Sequence, residues 1–142
     1  MYEIISALRH SAIVLDFEVL ELIDEDSVKL IKIKAVLKKN CLLYITELHT
    51  KNYQKYSYHC QKNDGELIAR WDNKPHWREM STYPHHKHEN DQVLPSHRVT
   101  IVDVLDQIEE KIAVKGLTVK SREVEIWITT PRSLRSRRLV RK

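Results

Sequence analysis

Residues 56–72, YSYHCQKNDGELIARWD, decide how the rest of the chain is read. Asp64-Gly65 is a two-residue turn signal, because both central positions of a type I′ turn require positive φ. On one side of it Tyr56, Tyr58 and Cys60 alternate with Ser57, His59 and Gln61. On the other side Leu67, Ala69 and Trp71 alternate with Ile68, Arg70 and Asp72. A two-residue loop pairs Tyr58 with Trp71, His59 with Arg70 and Ser57 with Asp72. Opposed residues share a face, so this register separates an aromatic, apolar face from a polar one. A three-residue loop would set Tyr58 against Arg70 and mix the faces. The two-residue loop is therefore expected, and Ile68 is the one residue that does not fit its face.

Working outward, the hairpin is the end of a run of strands. Residues 13–23 are rich in Val, Ile, Leu and Phe and close on the turn Asp24-Glu25-Asp26-Ser27. In residues 28–37, Ile31, Ile33, Ala35 and Leu37 alternate with Lys32 and Lys34, and Lys38-Lys39-Asn40 makes the next turn. Residues 41–49, 53–61 and 66–72 complete a meander of about five antiparallel strands, since connections this short join neighbours. Ahead of it, Ile4, Ile5, Leu8 and Ala12 recur at helical spacing and predict a first helix. After Asp72 the strand signal stops, and an irregular polar loop is expected as far as Arg98. A second helix follows, with Thr100 and Asp103 as a capping box and Val99 and Val104 as a staple. Its core stripe is Ile101, Val104, Leu105, Ile108 and Ile112, and Gly116 is expected to end it. Val124, Ile126 and Ile128 then read as a last strand. The class is α+β.

Composition bounds the rest. The 142 residues suit one domain, taken as 1–130, with 131–142 as a tail. That tail, PRSLRSRRLVRK, holds six cations of the whole chain's +4, leaving +4 − 6 = −2 for the remainder. Basic runs of this kind meet nucleic acid or a partner, or are simply solvated. No apolar run approaches a membrane span and no signal segment is evident, so no membrane association is expected. Cys41 and Cys60 sit at no metal or redox spacing, which points to reduced thiols in a cytoplasm.

Chemistry concentrates in residues 56–88, which contain five of the eight histidines and two of the three tryptophans. Tyr-Ser-Tyr-His-Cys-Gln at 56–61, Arg-Trp-Asp-Asn-Lys-Pro-His at 70–76 and Tyr-Pro-His-His-Lys-His at 83–88 occur in this order. Together they resemble the signature of the TumE family, small proteins described as toxin components of prokaryotic toxin–antitoxin pairs. The likeness covers roughly residues 10–112 in layout and is specific over 56–88. Trp77 stands where the family often has a second histidine after the Pro-His pair, and Cys60 where it often has tryptophan. The resemblance implies a toxin and an antitoxin encoded by a neighbouring gene; it does not supply a reaction. A helix followed by a β-meander is also similar to the architecture of small bacterial ribonuclease toxins, a fold-level analogy.

The residues themselves suggest metal-independent RNA cleavage, with no cofactor. Histidine can serve as base or acid near neutrality, and arginine presents a fork suited to phosphate. His59, Arg70, Asp72, His76, His85, His86 and His88 are the candidate catalytic set. Tyr56, Trp77 and Tyr83 can stack on bases, and Lys87, Arg132, Arg135, Arg137 and Arg138 can meet phosphates. One alternative is a metal-dependent hydrolase that uses His85, His86 and His88 with His76 and Asp72 as ligands. Another is a non-catalytic module that binds RNA or the ribosome. Monomer and homo-oligomer stay open.

Overall fold

The computed structural model describes residues 2–119, and side-chain burial for residues 3–113. Helix α1 (Tyr2–His10) leads into seven strands: β1 (Val14–Asp24), β2 (Val28–Leu37), β3 (Cys41–Thr50), β4 (Gln54–Lys62), β5 (Leu67–Asp72), β6 (His86–Glu89) and β7 (Gln92–Pro95). They form one sheet in chain order, every neighbouring pair antiparallel. Helix α2 (Ile101–Val119) follows. The residues up to Leu105 form one compact unit. Asp106 onward belongs to a second unit, of which the described part continues α2. No helix among the described residues is long and apolar enough to cross a membrane.

Alternation decides which side of each strand is buried. Ile31, Ile33, Ala35 and Leu37 of β2, Leu43 and Ile45 of β3, Tyr56, Tyr58 and Cys60 of β4, and Ala69 and Trp71 of β5 are all buried. Ile4 and Leu8 of α1 and Val104 and Leu105 of α2 are buried as well. The opposite face of these strands carries the polar residues, and the candidate chemistry lies there.

Three expectations need correction. The sheet has seven strands rather than about five, because the expected loop to Arg98 contains the hairpin β6–β7. Its strands, HKHE and QVLP, carry almost no apolar alternation. Their order comes from pairing with the open edge of β5, a tertiary cause without a local signal. Asn90 and Asp91 make the turn with φ of 54° and 60°, the same two-residue geometry that Lys39 and Asn40 adopt between β2 and β3.

The β4–β5 loop also differs. Lys62 N–H donates to Glu66 O at 2.8 Å and Gly65 N–H to Lys62 O at 2.9 Å, so the loop is the three residues Asn63-Asp64-Gly65. Only Gly65 has positive φ, at 96°. The register is nonetheless the expected one, with Tyr58 opposite Trp71, His59 opposite Arg70 and Ser57 opposite Asp72. The extra loop residue is absorbed by a bulge: Gln61 pairs with Leu67 and Cys60 with Ala69, so Ile68 has no opposite number. Ile68 is buried, which is why it did not fit the polar face.

The third correction is at α2, which runs through Gly116 to Val119. Its start follows the expected capping box, with Thr100 N–H on Asp103 Oδ2 at 3.0 Å and Asp103 N–H on Thr100 Oγ1 at 3.2 Å. The expected strand at 123–128 and the tail with Arg132, Arg135, Arg137 and Arg138 lie outside the described residues.

Candidate active site

Two rows of side chains cross the polar face at right angles to the strands. In the first, His59 of β4 lies opposite Arg70 of β5, and Arg70 lies opposite His88 of β6. In the second, Ser57 lies opposite Asp72, and Asp72 opposite His86. Residues two apart on a strand share a face, so both rows project the same way. The sequence separates His59 from His88 by two loops and the strand β5, and the β5–β6 pairing returns them to one line.

Asp72 is the hub. One carboxylate oxygen, Oδ2, accepts from Arg70 Nε at 3.0 Å, and His88 Nε2 lies 3.7 Å from it. The other, Oδ1, is 3.0 Å from His86 Nε2 and accepts the Lys74 N–H at 2.9 Å. Burial pushes the Asp72 carboxyl up, but the Lys74 N–H, the Arg70 bond and the charges of His86 and Arg70 outweigh it. The carboxyl is held below its ordinary value and is ionised at neutral pH. Asp72 and His86 are 1% and 2% exposed, so the centre of the network is shielded from water. The carboxylate thus both starts the turn after β5 and anchors the site.

Hydrogen-bond accounting constrains two rings. Arg70 has only donors, and its Nη1 lies 3.3 Å from His59 Nδ1, so Nδ1 carries the lone pair. His59 Nε2 then donates to Gln61 Oε1 at 3.0 Å, and the ring is neutral. His86 is the reverse, since its Nδ1 faces the Pro84 carbonyl at 2.9 Å and its Nε2 faces the Asp72 carboxylate. Both ring nitrogens of His86 therefore face acceptors. His88 stands edge-on to His86 at 4.9 Å between ring centres and is part exposed. Burial, with His86, Arg70 and Lys74, lowers its pKa against the opposing pull of Asp72.

The other candidates are distributed away from the rows. His85 Nδ1 and the Tyr56 hydroxyl share a hydrogen bond at 2.9 Å, and the two rings stack at 5.8 Å. Burial and the charges of Arg98, His86 and His97 push the His85 pKa down, which favours the neutral ring. Tyr56 itself is buried, and burial raises its phenol to about 12 despite the Arg98 charge. Lys87 belongs to the apolar side of β6, with its ammonium 5.4 Å over Trp71 and 2.8 Å from Glu89. His76 is exposed in the loop. Trp77 is exposed on one side and edges onto His86 at 6.4 Å, and the exposed Tyr83 ring has Arg78 over it at 5.9 Å.

Sequence reasoning missed Gln61, whose side chain meets His59 Nε2, and Asn73. The Asn73 side chain accepts from Tyr56 N–H at 3.0 Å and donates to Gln54 O at 2.8 Å, continuing the β4–β5 ladder past the end of β5. Amides one strand position from the named residues were the available signal. The loop is also tied to β7, because Thr82 Oγ1 donates to His85 O at 2.6 Å and accepts from Ser96 N–H at 3.1 Å. No local pattern announces that contact.

The fold and site define a small α+β protein with a histidine–arginine–carboxylate network on the open face of an antiparallel sheet. Residues 3–112 match the family model described as Toxin TumE, and the chain belongs to that family. Searches of curated proteins and of solved structures returned no match.

Proposed function

We propose that this chain is the toxin of a toxin–antitoxin pair and that it cleaves RNA by acid–base chemistry on the row His59–Arg70–His88. The observation that carries the reading is the row itself, two imidazoles flanking one guanidinium on a single face. Adjacent strands lie about 4.8 Å apart, so the two histidines stand roughly 10 Å apart with the cation between them. A phosphodiester over Arg70 would have one imidazole on each side.

The neutral His59 ring suits the base. When a phosphate oxygen draws Arg70 Nη1 away, Nδ1 is free to take the ribose 2′-hydroxyl proton. The 2′-oxygen then bonds to phosphorus, the bond to the 5′-oxygen breaks, and the protonated fraction of His88, kept small by its lowered pKa and favoured by Asp72, gives that oxygen its proton. Arg70 offsets the extra negative charge on the non-bridging oxygens, the kind of fixed donor whose removal costs about a hundredfold or more. Asp72 and the buried His86 hold Arg70 and His88 in position and do not reach substrate. Trp77 and Tyr83 are exposed aromatics for stacking, and the arginines of 131–142 are further phosphate contacts. A cognate antitoxin encoded by the neighbouring gene is the partner this activity requires.

Purified protein incubated with RNA in EDTA tests the reading. The expected products carry 2′,3′-cyclic phosphate, or 3′-phosphate after hydrolysis, and a 5′-hydroxyl. Intact RNA that is bound but never cut would instead favour a binding module.

One observation favours a second reading. The ligand atoms of Asp72, His86 and His88 all lie within 4.8 Å of one another. A histidine that donates Nδ1–H to a backbone carbonyl and turns Nε2 inward is also the arrangement of a metal ligand. Activity lost in EDTA and restored by one divalent ion would transfer the chemistry to that group.

A further inference from the structure

We infer that the polar face binds single-stranded RNA in a groove running from β2 to β5, with Lys32, Lys55 and Lys74 on the phosphates and Tyr44 under a base next to the cleaved bond. The inference rests on the RNA-cleaving reading for its substrate class and names a binding surface that neither the sequence nor the family description assigned. A shallow groove of about 650 Å3 opens on this face, and His59 and Arg70 are among its lining. His59 and Arg70 of the row thus stand at one end of a longer groove, while His88 lies outside its lining.

The lining chemistry points to a polyanion with flat apolar groups. Lys32, Lys55, Lys74 and Arg70 contribute four cations, and no carboxylate lines the groove. The three lysines are exposed, while Tyr44 is half-buried. Lys32 is shared with Glu21 at 3.5 Å, an exposed pair that a phosphate can displace. Tyr44 lies directly opposite His59 in the β3–β4 ladder, with ring centres 6.3 Å apart and a tilt of 58°. A base stacked on Tyr44 would therefore have its ribose beside the proposed base. The next row, Lys32–Thr46–Ser57–Asp72, has Lys32 as its one cation and ends on the buried Asp72, and Lys74 follows where β5 ends.

A single strand fits this surface better than a duplex. Stacking on an aromatic side chain requires an unpaired base, and an open sheet face with aromatics is a common platform for it. An acidic peptide would also meet the lysines, but it would leave the Tyr44 platform and its place beside His59 without a role.

The test is fluorescence anisotropy with a labelled single-stranded RNA and the matching duplex, using the full chain so that the tail is present throughout. Lys32→Ala/Lys55→Ala is expected to weaken single-strand binding roughly tenfold and to reduce the salt slope by about 1.4, at about 0.7 per phosphate lost. Tyr44→Ala is expected to weaken it about tenfold with the slope unchanged. Lys38→Ala/Lys39→Ala removes the same charge at the β2–β3 turn, outside the groove, and is expected to leave binding as it was. Circular dichroism checks that each variant is folded. Unchanged affinity in both groove variants, equal weakening in the turn variant, or equal binding of the duplex would overturn the inference. Groove variants that bind RNA normally but lose co-purified antitoxin would overturn it in favour of a protein interface. Binding that depends on the groove, with no cleavage of any RNA, would sink the catalytic reading and leave the groove standing.

Discussion

Trp71 and Asp72 are neighbours in β5, and both are essentially removed from water, yet the two faces they serve hold together for different reasons. Trp71 is fully buried among Tyr58, Ala69 and the stem of Lys87, and its indole N–H has no hydrogen-bond partner among the described residues. It contributes area and shape. Asp72 contributes neither; it is buried because Arg70, His86 and the Lys74 N–H satisfy its charge. A buried charge is tolerated only while its partners remain. The apolar face is therefore expected to fail in stability, and the polar face in function first.

The largest expected effect breaks the apolar face. Trp71→Ala should lower unfolding free energy by about 4 kcal/mol, measured by urea denaturation. Trp71→Phe should recover most of that loss, since no hydrogen bond goes with the indole nitrogen. If the Phe variant were as unstable as Ala, the N–H would have a role that the contacts do not reveal.

The next effect separates the faces. Asp72→Asn keeps the shape but leaves Arg70 and His86 without their counter-charge, and should cost about 1–3 kcal/mol of stability. Its cleavage rate should fall further, about a hundredfold, because a small misplacement of a positioned group is worth that much. An Asn variant with full activity would remove Asp72 from the positioning role.

Thr100→Ala provides the reference from neither face. Loss of the reciprocal cap on α2 should cost about 1 kcal/mol with cleavage unchanged in the fraction that remains folded.

The smallest effect at neutral pH is the tyrosine pair. Burial raises Tyr56 from 10.0 to about 12, and burial with the Glu47 carboxylate raises Tyr58 as well. A raised folded pKa means that the stabilisation is complete below the unfolded value and is lost as pH rises through the folded one. The contribution of these tyrosines should therefore be flat below about pH 10 and fall towards pH 12, with Tyr56→Phe shallowing the alkaline decline. A decline equally steep in the Phe variant would assign it to other groups.

The same comparison explains what could be read from the sequence. Apolar alternation writes itself into a strand, so β2 to β5 and the His59–Arg70 register were legible, as was the capping box at Thr100. The β4–β5 turn was misjudged in length, yet the register survived because the Ile68 bulge compensates. Face separation is the stronger constraint, and the turn adapts to it. The strands β6 and β7 were not legible, because HKHE and QVLP owe their order to the edge of β5. That omission hid how the histidines divide. His85, His86 and His88 read as one group, but the alternation of β6 and the loop before it send His85 to Tyr56, His86 into the buried Asp72 pair and only His88 to the open row.

The most direct test of the row is cleavage by His59→Ala, Arg70→Ala and His88→Ala, measured as kcat in EDTA beside urea midpoints for the same preparations. The expected result is a loss of about a hundredfold or more for each, with folded protein at every point. His85→Ala, made in parallel, should retain far more activity, since that ring is committed to Tyr56. Full activity in Arg70→Ala, or in both histidine variants of the row, would contradict the proposal that this line of three side chains cleaves RNA.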